Sequence, residues 1–115
     1  MLEFIGEGAK GMIALNEKED KYNIEKHKKR IEKIIEKWED IKSIFKSLPK
    51  KAEIENLFEK IGAPKNAKEL GKTDREIATA YNFTKDIRDK YVVSRLTWDL
   101  GEHAKVIKTL YNTEI

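Results

Sequence analysis

Apolar side chains return every three or four residues from Ile24 to Leu48. Ile24, Ile31, Trp38 and Phe45 stand seven apart, and Ile34, Ile41 and Leu48 fall between them, with His27 at the first intermediate position. Ile35 and Ile44 widen the stripe. A strand would bury alternate residues, so this spacing predicts one amphipathic helix over residues 23–48, about 38 Å long at roughly 1.5 Å per residue. Asn23 is placed to cap it, and Tyr22 to staple onto His27. Glu25 suits the positive helix start, Lys46 the negative end, and Pro49 stops it. Glu25 with Lys29 and Lys28 with Glu32 are spaced for ion pairs worth about 0.2–0.5 kcal/mol each. Burying one Ile or Trp contributes roughly 1.5–3 kcal/mol, so the apolar stripe dominates.

The remaining segments are read by the same period. Residues 50–61 place Ile54, Leu57, Phe58 and Ile61 on one helical face, closed by Gly62 and Pro64. Asn66 caps a short turn, Ala67 to Leu70, that Gly71 ends. Thr73-Asp74-Arg75-Glu76 is a capping box that opens a helix with Ile77, Ala80, Tyr81 and Thr84 on one face. Residues 82–91 are expected to be mainly helical, with a break near Lys90. Val93, Leu96 and Leu100, with Trp98 as a further candidate, form another amphipathic segment ended by Gly101, and residues 103–111 a last helix. Residues 1–22 are expected to be irregular or weakly helical. Leu2, Ile5, Ala9, Met12 and Ile13 have helical spacing, but Gly6, Gly8 and Gly11 each cost about 1 kcal/mol inside a helix. The expected architecture is a single all-α domain, residues 1–115, a bundle built on the 23–48 helix.

Composition narrows the function classes. Among 115 residues there are 6 glycines, 2 prolines and no cysteine. Collagen-like and turn-rich all-β folds are excluded, and so are disulfides, thiolate nucleophiles and cysteine metal cages. The lack of cysteine fits a reducing cytosol, and a cytoplasmic location is expected. No run approaches the roughly 20 apolar residues of a membrane span, so no membrane partner is expected. The net charge of +3 comes from 24 basic against 21 acidic residues with the signs interspersed. Residues 20–50 hold ten basic and six acidic side chains without an alternating aromatic platform. The Lys28-Lys29-Arg30 cluster is therefore read as a solvated face, and nucleic acid is not an expected partner.

Chemistry-bearing motifs are few. Gly6-Glu7-Gly8-Ala9-Lys10-Gly11 is glycine-rich, but no strand precedes it, so it reads as a loop or irregular helix start rather than a phosphate cradle. His27 and His103 lie far apart, and neither sits in a metal-ligand spacing. His27 faces the apolar stripe and reads as a partly buried structural residue. His103, just after a helix-ending glycine, reads as a surface polar residue. In Lys85-Asp86-Ile87-Arg88-Asp89-Lys90-Tyr91, Arg88 stands between two aspartates, and an ion-pair network is expected with Tyr91 tied through its hydroxyl. No catalytic, cofactor-binding or metal-binding residue is assigned.

Four segments occur in order: Ile61-Gly62-Ala63-Pro64, Glu69-Leu70-Gly71, Ile87-Arg88-Asp89-Lys90-Tyr91 and Leu96-Thr97-Trp98-Asp99-Leu100-Gly101. Together they resemble the C-terminal helical region of the glycerol-1-phosphate dehydrogenase family, within the iron-containing alcohol dehydrogenase and polyol dehydrogenase superfamily. The resemblance is firm from about Ile54 to Gly101 and looser back to Ile24. Val92 stands where the family commonly has threonine. The resemblance implies an all-helical domain that in the family follows a dinucleotide-binding domain, with NAD(P) and a divalent metal in the cleft between them. The family's aspartate ligand and first histidine would lie upstream of Met1. Its second histidine would align near Ile5-Gly6-Glu7, where Ile5 cannot coordinate a metal. The expectation is a truncated or isolated helical domain that needs no cofactor by itself and is inactive alone. Its expected partner is a second copy, as a dimer, or a separate nucleotide-binding domain. The alternative expectation is a free-standing, self-associating interaction module with no enzymatic role. The N-terminal segment or the long helix is the expected contact.

Overall fold

The computed structural model describes residues Met1–Ile115, and every regular element is helical. The α-helices are α1 (Leu2–Ile5), α2 (Gly8–Lys18), α3 (Ile24–Glu36), α4 (Trp38–Ser47), α5 (Lys51–Lys60), α6 (Asp74–Thr84), α7 (Val93–Asp99) and α8 (His103–Tyr111), with a single 3₁₀ turn at Ala67–Leu70. None is long and apolar enough to cross a membrane.

The caps lie where the side chains place them. Asn23 accepts from the Glu25 and Lys26 amides at 2.9 and 3.0 Å. Thr73 and Glu76 exchange both bonds of a capping box, and Asn66 accepts from the Glu69 amide. Gly62 and Gly71 follow their helical turns at φ 67° and 73°, a conformation that strains any side chain with a Cβ.

Five expectations are corrected. The 23–48 helix is two helices, because Lys37 leaves helical geometry at φ −103°, ψ 18°, although its N–H still donates to the Lys33 carbonyl and its carbonyl accepts from the Ile41 amide. Glu39 and Asp40 in the first turn of α4 favour a fresh helix start there. Residues 1–22 are more regular than expected: α1 and α2 form on either side of Gly6 at φ 70°, so the glycine acts as a hinge between helices. Residues 82–91 leave the helix after Thr84, not near Lys90, because Lys85 and Asp86 turn inward. On α7 the expected apolar face is the outer one. Val93 and Leu100 are exposed, whereas Ser94, Arg95 and Asp99 are buried. The outer charges of α3 also pair differently, with Lys28 on Glu25 at 2.8 Å.

α6, α7 and α8 pack mutually, and α3 lies across α7. The N-terminal helices join this body through Phe4, whose ring is 6.0 Å from that of Phe83. α4 and α5 contribute no buried residue. They form an arm beyond the body, and the Cα radius of gyration is 16.2 Å against about 13 Å for a compact chain of this length. Only Ala9, Ile34, Ala78 and Ile107 are buried apolar residues. The accessible surface is 8719 Å². A folded chain of this mass exposes about 6,500 Å², so the excess is roughly 2,200 Å².

Candidate functional site: a buried charge network and an unpartnered arm

The best-built polar constellation centres on Asp99, at the end of α7. Its side chain has no solvent exposure. Arg30, on α3, donates to it through a fork, Nε to Oδ2 and Nη2 to Oδ1, both at 2.9 Å. Tyr91 donates to Oδ2 at 2.8 Å, and His27 Nδ1 lies 3.0 Å from Oδ1. Burial alone would push this carboxyl up. The hydrogen bonds from Arg30, Tyr91 and His27 outweigh that and hold it below the usual carboxylate range. Burial together with the bond to Asp99 pushes the Tyr91 hydroxyl well above its ordinary value.

A second carboxylate, Asp86, is also buried in the body. Tyr22 donates to it at 2.8 Å, and Lys85 Nζ is 3.1 Å from Oδ2. Burial, then the hydrogen bond to Asp86, raises Tyr22 to about 12. Arg95 stands between the two aspartates, 3.7 Å from Asp86 and 3.9 Å from Asp99. Its guanidinium lies 4.5 Å over the Trp98 ring and 4.9 Å over Tyr22, a geometry that stabilises a partly desolvated cation. The network therefore ties α3, the 85–91 turn and α7 together with hydrogen-bonded charges.

The expected residues fall unevenly on this arrangement. His27 is the partly buried structural residue expected, but it and Tyr22 both pack edge-on against Trp98. Tyr91 is tied through its hydroxyl. Arg88 forms no ion pair, and Arg95 takes the place expected of it beside Asp86. Arg30 leaves the solvated Lys28-Lys29 face and turns inward. His103 is buried, not on the surface. It stacks on Tyr81 at 5.5 Å, and its Nδ1 lies 2.9 Å from Thr97 Oγ1. Burial, then the nearby Lys85, pushes its pKa down. No three histidine, aspartate or glutamate side chains converge as a metal-holding group. These residues do not fit a divalent metal.

The second candidate surface is the arm. Trp38, Ile44, Phe45 and Leu48 on and just after α4, with Ile54, Leu57, Phe58 and Ile61 on and just after α5, are all exposed. Ile61 reaches 75% exposure. An open cleft of about 480 Å³ beside the Lys37 break is lined by Ile34, Ile35, Trp38 and Leu100 together with Glu36 and Glu39. The N-terminal segment, expected as a contact, also exposes Leu2 and Phe4, at 51% and 46%, although the Phe4 ring lies 6.0 Å from that of Phe83.

Comparisons with protein-family models, curated proteins and solved structures found no match to this chain.

Proposed function

We propose that this protein is a helical interaction module that self-associates, with the α4–α5 arm of one copy covered by a second copy. The observation that carries the reading is the row of exposed apolar side chains on α4 and α5, helices that bury nothing, in a chain with roughly 2,200 Å² more surface than a compact one. One partner in an obligate homodimer contributes roughly 1,000–2,500 Å², so a second copy is the right size to cover it. Large exposed apolar patches mark interfaces. Residues 38–61 hold five acidic and five basic side chains, so two arms meet without net repulsion. A ten-residue helix such as α5 is marginal when isolated in water, and cover by a partner supplies what its own sequence does not.

Multi-angle light scattering across a dilution series tests this. The expected mass is twice the 13.4 kDa of the chain. The double variant Leu57→Asp, Ile61→Asp is expected to be a folded monomer, because both side chains are exposed and the body does not depend on them. A monomer at every concentration would refute the reading.

A second reading is supported by the behaviour of the four motif segments. Gly62, Gly71 and Gly101 all adopt positive φ, and Tyr91 bonds Asp99. Two of the segments behind the resemblance to glycerol-1-phosphate dehydrogenases, 87–91 and 96–101, thus meet in the helical body. In this reading the chain is a cytoplasmic, catalytically inactive helical domain of that type, and its arm meets a separate nucleotide-binding domain. Turnover of dihydroxyacetone phosphate with NADH or NADPH and a divalent metal by the pure chain would contradict the inactivity.

A further inference from the structure

We propose that the cleft between the end of α2, the start of α3, the 85–91 turn and α7 binds a phosphate-class oxyanion. The cleft has a volume of about 240 Å³ and is walled by Lys21, Lys26, Arg30, Lys85, Lys90 and Arg95. Glu19 and Asp89 are the acidic residues in the wall. Behind it stand Asp86 and Asp99, and Asp20 lies 3.9 Å from Lys26. Cations still outnumber carboxylates when all of these are counted, so the site carries a residual positive charge.

Two of the cations are unusual for a solvated patch. The side chains of Lys85 and Arg95 are only 8% and 6% exposed. Arg95 Nη1 is buried without a hydrogen-bond partner, and its nearest carboxylate oxygen, on Asp86, is 3.7 Å away. A buried, charged donor left without an acceptor is destabilising, and an anion oxygen would satisfy it. Lys85 pairs with Asp86 at 3.1 Å and Lys90 with Asp89 at 3.7 Å, whereas Lys21 and Lys26 are held chiefly by backbone carbonyls. Lys21 Nζ donates to the Arg88 carbonyl at 2.7 Å and Lys26 Nζ to the Glu19 carbonyl at 2.8 Å. Each ammonium keeps further N–H groups for a ligand.

Several fixed cations around a small cleft suit a multiply charged tetrahedral anion better than a lone carboxylate. No residue of the site lies on the arm, so this inference is independent of self-association.

Isothermal titration calorimetry with inorganic phosphate, methyl phosphate and, as a control, sodium chloride at matched ionic strength tests the site. One saturable phosphate per chain is expected, with no saturable heat from chloride. The double variant Lys26→Ala, Lys90→Ala removes two exposed rim cations. It is expected to weaken binding by roughly tenfold or more while leaving the melting temperature unchanged. Methyl phosphate binding as tightly as the free ion assigns the site to a phosphate ester, and binding of the free ion alone assigns it to inorganic phosphate. Absence of saturable binding, or equal affinity in the double variant, overturns the proposal.

Discussion

Replacing Asp99 by asparagine keeps the side-chain volume and removes the charge at the centre of the network. The consequence follows from which donors face which oxygen. Oδ1 faces Arg30 Nη2 and His27 Nδ1, and Oδ2 faces Arg30 Nε and Tyr91. Whichever way the asparagine amide is turned, its NH2 group confronts one arm of the Arg30 fork and one further partner. The buried Arg95 also loses an opposite charge. Breaking a buried ion pair from one side costs about 3–5 kcal/mol. For a chain of this size 1 kcal/mol shifts the melting temperature by roughly 4 °C or more, so a fall of at least about 12 °C is expected. Thermal unfolding followed by far-UV circular dichroism measures it, with protein concentration held fixed because any self-association makes stability concentration-dependent. Small domains have about 5–15 kcal/mol in total, so the variant sits near its folding limit. Tyr91→Phe provides the graded companion, deleting one donor and costing about 1 kcal/mol. A loss below about 1 kcal/mol for Asp99→Asn would refute the assignment of Asp99 as the main polar tie between α3 and α7.

Other outcomes follow from single features of the fold. Thr73→Ala removes one half of the capping box of α6 and is expected to cost about 1 kcal/mol by thermal denaturation. The folded His103 holds its proton less tightly than an unfolded histidine, so the unfolded chain binds more protons as pH falls. Stability is then full above about pH 6.5 and declines below it; His103→Gln is expected to flatten that decline in urea midpoints measured between pH 7 and 5. Asp99, held below the carboxylate range, contributes stability that is present above about pH 4 and lost as pH falls further, a second and separate step in acid unfolding.

Much of the helical framework was legible because it is written in local signals. Asn23, Asn66, Thr73, Gly62 and Gly71 act on their immediate neighbours, and each occupies the turn or cap its chemistry predicts. The break at Lys37 carried no such signal. Neither glycine nor proline marks it, and the apolar period runs through it without changing register. The polar network was hidden for a different reason. Its partners, Arg30 with Asp99 and Tyr22 with Asp86, are 69 and 64 residues apart, beyond any local pattern. The available clue was on α7, where Arg95 and Asp99 stand at i and i+4 beside Trp98. That arrangement allows a charged helical face to turn inward, whereas counting only Val93, Leu96 and Leu100 selects the opposite face. The exposed arm follows from the same limit. The periodicity of residues 38–61 shows that apolar faces exist, but not whether this chain or another one covers them.

Amide hydrogen exchange of α5, read at high protein concentration and again after dilution, tests the central claim most directly. Covered by a second copy, the amides from Ile54 to Ile61 are expected to be protected at high concentration and to lose that protection on dilution, while α6 and α8 keep theirs. Protection in α5 that is the same at every concentration, in a chain that sediments at its monomer mass, would contradict the account.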